Sequence, residues 1–258
     1  MTTLPKVNYD AVAPAYDERV QGTYLLGVSA ALQQLVRQVQ PGRVLDLGCG
    51  TGRSLQGLET KLERFGLDLS SGMLGQARRL DPTYRLVRAA AFRPPFAKAS
   101  FDLVYCVHAF HHFSDKQQVI QAAYDLLRPG GIFAIINFDP READQSWPIY
   151  DYFDDTYATD LSRFPAMAEQ ESWLRAVGFQ QVSSPVIQHI DHEIRGEAIF
   201  EDYHLRKESC SQLILLSDEA YQTGLDRMRE RINRAKASGE TIVFRTTLKN
   251  RMCHGFKR

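Results

Sequence analysis

The run Arg43-Val44-Leu45-Asp46-Leu47-Gly48-Cys49-Gly50-Thr51-Gly52 decides how the rest of the chain is read. Its first half is a short apolar stretch bounded by glycines, the pattern of a strand buried on both faces. Its second half places glycine at three alternate positions. Without a β-carbon such a loop turns tightly and lets its backbone approach a ligand closely. Helix-like sequence follows, so the first amides of that helix would face an anionic group. A nicotinamide-dinucleotide fingerprint, Gly-x-Gly-x-x-Gly, needs glycine three places after Gly50, and Arg53 stands there instead. The pattern is Asp-x-Gly-x-Gly-x-Gly, opened by Asp46.

Outward from this loop, strand-like and helix-like segments alternate. Strands are expected at 65–69, 84–88, 101–107 and 132–138. Helices are expected at 71–80, capped by Ser70, and from Asp115 to Leu127, stopped by Pro129-Gly130-Gly131. Upstream, Leu25, Leu26, Ala30, Leu32, Leu35, Val36 and Val39 recur at helical spacing, so the segment after Pro14 reads as helical up to Pro41-Gly42. Strands of this kind between helices indicate a parallel sheet covered on both sides. Downstream the pattern loosens. Aromatic residues crowd 140–166 (Trp147, Tyr150, Tyr152, Phe153, Tyr157, Phe164) without a clear period. Met167 to Val177 reads as a helix ending at Gly178, and 179–194 as a strand running on beyond the sheet. Helical pattern returns at 197–207 and 218–237, and 241–256 is a last strand.

Asp68, in Gly66-Leu67-Asp68-Leu69-Ser70, ends the second expected strand, eighteen residues after Gly50. A carboxylate there can accept from both hydroxyls of a ribose, or cap the next helix. Leu69 and Met73 would flank an adenine ring as soft apolar surfaces, unless either belongs to the core. The fourth strand runs into Val107-His108-Ala109-Phe110-His111-His112. These three imidazoles are candidates for a general base working near neutral pH; the alternative is local hydrogen bonding or packing. No pattern supports a metal set from His108, His111, His112 and Asp115, and no metal is expected. His189-Ile190-Asp191-His192 reads as strand surface, and the arginines at 227, 229, 231 and 234 as a solvated helix face.

On these motifs the chain resembles the class I S-adenosylmethionine (SAM)-dependent methyltransferases. The likeness is in particular to the branch holding quinone C-methyltransferases and many small-molecule O-, N- and C-methyltransferases. The likeness runs from about residue 9 to 138, with a weaker echo in Ser172-Trp173-Leu174-Arg175-Ala176-Val177-Gly178-Phe179. Tyr9-Asp10-Ala11-Val12-Ala13-Pro14-Ala15-Tyr16-Asp17 is similar to that branch's N-terminal helix, whose second tyrosine approaches the cofactor. Leu126-Leu127-Arg128-Pro129-Gly130-Gly131 matches its turn into the fifth strand. The resemblance implies an α/β fold: a seven-stranded, mostly parallel Rossmann-like sheet with helices on both faces, its last strand antiparallel, and a helical insert before that strand. It implies SAM as cofactor and S-adenosylhomocysteine (SAH) as product. Cofactor contacts would come from Tyr16, Asp46, Gly48, Cys49, Gly50, Asp68, Leu69, Met73, Ala90, Ala91 and Val107, and chemistry from Tyr16, His108, His111 and His112. One position departs from the family. Ala90, in Arg88-Ala89-Ala90-Ala91-Phe92, stands where an acid usually accepts from the adenine amino group. Asn137-Phe138-Asp139-Pro140 faintly resembles a motif of amino-methylating DNA enzymes, but it follows the fifth strand rather than the fourth and is discounted.

Composition bounds the partners. The 258 residues suit one domain, with a helical cap at 1–40, a SAM-binding core at 41–138, and acceptor-lid insertions at 140–166 and 195–240. Lysine plus arginine equals aspartate plus glutamate at 31 each, so no net field favours nucleic acid or an anionic membrane. Cys49, Cys106, Cys210 and Cys253 lie far apart without zinc spacing, which fits a reducing, cytoplasmic setting. No segment has the apolar length of a signal peptide or a membrane span. Neutral charge points to a small-molecule acceptor, and the aromatic residues at 147–164 with the helical insert at 195–240 suggest one with apolar bulk. An RNA or protein methyltransferase, or a SAM-binding protein without catalysis, are the alternatives; the oligomeric state is not readable.

Overall fold

In a computed structural model, which describes residues 7–14, 16–19 and 26–258, the segment Arg43–Leu47 (β1) lies at the heart of a sheet. Val44, Leu45 and Leu47 have no exposure, as a strand covered on both faces requires. Parallel neighbours flank it: Glu63–Asp68 (β2) and Arg85–Arg88 (β3) on one side, Phe101–Val107 (β4) and Leu127–Asn137 (β5) on the other. Beyond β5 come Gln180–Ser183 (β6), Val186–Arg195 (β7) and Val243–Phe256 (β8), the last running antiparallel to β5. The order is β3-β2-β1-β4-β5-β8-β6, with β7 also pairing β8.

Alternation along the strands explains the two layers. Leu103 and Tyr105 of β4 pack on one face with Leu32 and Leu35 of Leu26–Val39 (α2, after the short helix α1, Tyr9–Val12). Val104 and Cys106 pack on the other face with Val119 and Ile120. The intervening helices are Arg53–Gln56 (α3), Ser71–Leu80 (α4) and Lys116–Leu126 (α5). Ser70 caps α4 by accepting from Met73 N–H at 3.1 Å, and Asp115 caps α5 from Gln118 N–H at 2.9 Å. Further along, Met167–Val177 (α8) ends at Gly178 with φ of 114°, the left-handed C-cap expected there.

Four features differ from the sequence expectation. The sheet has eight strands rather than seven, because the stretch 179–194 is broken at Ser184-Pro185: proline cannot donate to a ladder. Helix α1 precedes Pro14, and among the described residues between it and α2 there is a 3₁₀ turn, Tyr16–Arg19; the expectations on Ala15 and Leu25 lie outside the described residues. Two helices, Pro148–Tyr152 (α6) and Thr156–Arg163 (α7), occupy 140–166, where no period is readable. The segment 197–207 forms 3₁₀ turns, Gly196–Glu201 and Tyr203–Leu205, rather than an α-helix.

The two insertions share one satellite core. Ile149 and Phe153 of the first meet Leu205, Leu213, Met228 and Ile232 of the second, with Phe244 of β8. The second insertion adds Ser211–Ile214 (α9) and Asp218–Ala237 (α10), the latter capped by Ser217. Gly224 of α10 presses against Phe153, so a β-carbon there would come within 2.2 Å of the ring. Gly224→Ala gains about 1 kcal/mol of helix propensity but overpacks at a cost of about 1–3 kcal/mol. With so close an approach the loss wins, and thermal unfolding should show a Tm lower by roughly 2–8 °C. An unchanged or raised Tm would mean Phe153 moves aside freely.

Candidate functional site

The glycine loop leaves β1 at the carboxyl edge of the sheet, where open α/β sheets bind ligands. Its register is fixed from β2: the amides of Gly48 and Cys49 both donate to Leu67 O, at 2.7 and 3.0 Å. Gly48, Gly50 and Gly52 all have positive φ, at 74°, 52° and 80°. At Gly48 a β-carbon would lie 2.6 Å from Ala109 and at Gly52 2.9 Å from Tyr84, so these two are excluded by packing as well as by φ. At Gly50 nothing lies within 4 Å, and the backbone is bare toward a cavity of about 550 Å³.

Asp46 is buried beneath the loop. Its Oδ2 accepts from the Ser54 hydroxyl, while Oδ1 is buried with no hydrogen-bond partner. Burial pushes its carboxyl up to about 7; the Ser54 bond opposes this and the charge of Asp68 adds to it. A cationic ligand group would supply what Oδ1 lacks. The pH dependence follows from the raised value. Keeping the carboxyl neutral in the folded protein favours folding below the unfolded value of 3.8, and this contribution is lost as pH rises through about 7. The full loss is about 4 kcal/mol. Ligand-free protein should therefore show a Tm that falls between pH 4 and 8, and Asp46→Asn should flatten that fall. SAM affinity should change the opposite way, rising with pH through about 7 as the carboxylate forms. A wild-type Tm that ignores pH across this window would refute the burial of this acid.

Asp68 ends β2 and holds the loop from below. Its Oδ2 accepts from Gly50 N–H and its Oδ1 from Ser70 N–H, both at 2.9 Å, and burial raises its pKa. Leu69 beside it is 64% exposed, a large apolar side chain left facing outward. Ala90 is half-buried, Ala91 is in the core, and Met73 is buried at 1% exposure, so Leu69 is the open apolar surface of this group.

The histidines stand on the other side of the loop. Tyr16, Asp46, Gly48, Cys49, Gly50, Val107, His108, His111 and His112 all line the one cavity; Asp68, Leu69, Met73, Ala90 and Ala91 are not in its wall. His108 follows β4 with φ of 48°, a left-handed turn that carries the chain away from the sheet. Asn137, buried at the end of β5, sets the protons of its neighbours. Its Oδ1 accepts from Phe138 N–H at 3.1 Å and faces His108 Nδ1 at 3.5 Å. That orientation turns Nδ2 to donate to His111 Nδ1 at 3.2 Å, which puts the His111 proton on Nε2. His111 is buried and stacked on Phe164 at 4.0 Å. Burial, then the charges of His112 and Arg163, hold its pKa well below the usual histidine value, so it stays neutral. His112 differs: its Nε2 lies 2.6 Å from the Tyr9 hydroxyl.

Tyr9, Asp10 and Asp17 bring the N-terminal segment over the site. Asp10 accepts from Ser70 Oγ at 2.6 Å and Gly72 N–H at 2.8 Å at the start of α4. Asp17 accepts from Thr51 Oγ1 at 2.5 Å and pairs with Arg53 at 3.1 Å. Sequence reading singled out Tyr16 and missed Tyr9, although both lie in the same quoted segment. It also missed Asn137, which opens the motif discounted for following the fifth strand rather than the fourth. His189 and His192, taken as strand surface, line the cavity too, as do Phe138, Trp147 and Phe164. Among the described residues no group of three His, Cys, Asp or Glu is arranged to hold a metal ion.

Comparison with known proteins gives a consistent result. A family model for a methyltransferase domain matches residues 45–135. The chain is 34% identical over 157 residues to a malonyl-[acyl-carrier protein] O-methyltransferase of Enterobacter lignolyticus; the alignment covers 57% of this chain and 62% of that protein. The chain thus spans less than two thirds of that relative's length. It is 31% identical over 148 residues to an uncharacterized methyltransferase of Synechocystis, covering 56% of this chain and 70% of the other. A ubiquinone/menaquinone biosynthesis C-methyltransferase of Legionella pneumophila is 27% identical over 214 residues, covering 76% and 82%.

Proposed function

Because the chain belongs to the class I SAM-dependent methyltransferases, we propose that its cavity seats a small acceptor molecule with apolar bulk against the methyl donor held by the glycine loop. One observation carries this reading: a single cavity is lined at one end by the glycine loop and Asp46, and further on by His108, His111, His112, Phe138, Trp147 and Phe164. SAM, when bound, supplies a methyl group on a sulfonium, a leaving group that departs neutral. The chain's own tasks are alignment, exclusion of water and, for a hydroxyl, amine or carbon acid, removal of a proton.

In this reading the backbone at Gly48 to Gly50 holds the amino-acid end of the cofactor, Asp46 meets its positive charge, and Asp68 takes the ribose hydroxyls. Leu69 and Ala90 flank the adenine, and Tyr16 covers the site. Of the three histidines the geometry favours His112 as base. His111 Nδ1 accepts from the Asn137 amide, which cannot relay a proton, whereas His112 Nε2 is bonded to the Tyr9 hydroxyl, which can. The insertions at 140–166 and 195–240 form the acceptor lid; their common core supports this. A zero net charge supports a small acceptor over nucleic acid. Four free cysteines, three of them buried, support a reducing, cytoplasmic setting, and no helix among the described residues is long and apolar enough to cross a membrane.

Two measurements test this together. Calorimetry should show SAM binding and no NAD binding, and a screen for SAH release should find turnover among apolar metabolites. Turnover on RNA or protein alone, with none on any small molecule, would overturn the acceptor class.

A further inference from the structure

The insertions contain a charge pair that their packing does not require. Asp160 of α7 has no exposure and accepts from Tyr150 Oη at 2.7 Å, Gln212 Nε2 at 2.6 Å and Arg163 Nη2 at 2.5 Å. Arg163, 3% exposed, also donates from Nη2 to Ser211 Oγ at 3.2 Å. Its Nε and Nη1 are buried with no hydrogen-bond partner. A buried ion pair stabilises a fold no better than well-packed apolar residues do, and buried donors without partners are a net cost. Such a group calls for a functional explanation.

Its position supplies one. Ser211 and Gln212 line the acceptor cavity, with Arg163 directly behind Ser211. The Gln212 amide nitrogen is committed to Asp160, and its oxygen lies 3.4 Å from Ser211 Oγ, a long bond that a better acceptor would displace. Ser211 Oγ receives a guanidinium N–H from behind, which leaves its own proton for a partner in front. Close to Arg163, Asp160 is already met by three donors, and Lys116 lies near enough for its charge to repel that of the guanidinium, so the one carboxylate faces two cations. A neutral oxygen would answer Ser211 alone. An anion also answers the guanidinium charge behind it.

We propose that Ser211, positioned and polarised by Arg163, anchors a carboxylate carried by the acceptor at the end remote from the methylated atom. The apolar walls, Phe138, Trp147 and Phe164, then hold the body of the same molecule. This inference rests on the reading of the cavity as an acceptor site, and it narrows the acceptor class to apolar carboxylic acids.

The test compares 4-phenylbutyrate with 4-phenylbutan-1-ol as ligands of the full chain by calorimetry at pH 7.5, with and without SAH. The acid should bind about tenfold or more tightly than the alcohol. Ser211→Ala should shrink that preference to about threefold or less, and Arg163→Met should abolish it while Arg163→Lys restores part of it. Should the arginine variants fail to fold, Ser211→Ala, which removes one hydroxyl, decides alone. Equal affinities, no detectable binding of the acid, or a preference that survives Ser211→Ala would overturn the proposal. SAH affinity, measured in the same titrations, reports separately on the cofactor reading.

Discussion

Replacing His112 by Asn, or Tyr9 by Phe, is expected to lower methyl transfer by about 10²–10⁴-fold while SAM affinity stays nearly constant. Tyr9 Oη and His112 Nε2 lie 2.6 Å apart and both line the cavity beyond the glycine loop. A bond this short couples the two groups, so a proton leaving the acceptor passes through the phenol to the imidazole. Both groups line a cavity whose wall does not include Asp68, where the nucleoside would lie, which is why binding of SAM should be spared. His111→Asn is the internal contrast. Its Nδ1 already accepts from Asn137 and its Nε2 carries the proton, so it donates rather than accepts. That variant should lose no more than about tenfold, through positioning alone. Single-turnover formation of SAH separates these outcomes from product release. If His112→Asn and Tyr9→Phe both turn over like wild type, transfer proceeds by alignment without a base.

Asp68→Ala should weaken SAM binding by about ten- to a hundredfold. Hydrogen bonds to a charged acceptor contribute about 1.5–3 kcal/mol, and about 1.4 kcal/mol is a factor of ten. Part of the loss would come from the protein itself. The same carboxylate holds Gly50 N–H and Ser70 N–H, so its removal loosens the loop and the start of α4 together. Asp68→Asn keeps one oxygen and should fall between wild type and Asp68→Ala. Calorimetry on variants with native circular dichroism gives the answer, and unchanged affinity in folded Asp68→Ala would place the ribose elsewhere.

The parts of the molecule that were legible are those whose sequence pattern has a local cause. Strands β1 to β5, the caps Ser70 and Asp115, the left-handed Gly178 and helix α10 all follow from periodicity and short-range chemistry. The antiparallel direction of β8 was legible only through family likeness. The insertions were opaque for a physical reason: their aromatic residues serve two surfaces at once. Phe153 faces the satellite core while Trp147 and Phe164 face the cavity, so neither a helical nor a strand period survives. The broken strand needed attention to Pro185, whose missing N–H interrupts the ladder while its carbonyl still accepts from Met252 N–H at 3.0 Å. Within the site, residue type singled out the glycine loop, Asp46 and the histidine run, and the fold gathers these around one cavity. Tyr9 and Asn137 were not legible because they pair with His112 and His111, residues distant in sequence, and no local pattern encodes such contacts.

Strand β8 has a consequence for how the chain acquires its shape. From Arg251 to Phe256 it pairs with β5, and from Val243 to Arg251 it pairs with β7 and carries Phe244 into the satellite core. One strand thus closes both hydrophobic bodies, and the ribosome makes it after every other strand and helix it joins. The ladder Ile132 to Phe256 is a contact of very high sequence separation, the kind that slows folding because loop closure must precede the gain. A nascent chain that has already made β5 leaves its outer edge without a partner through the synthesis of both insertions. In that interval the unpaired edge, flanked by the fully buried Phe133 and Ile135, is the segment most exposed to wrong pairing with another chain. Chaperone dependence in this protein should therefore be set by the delay before β8 arrives rather than by the final stability of the fold.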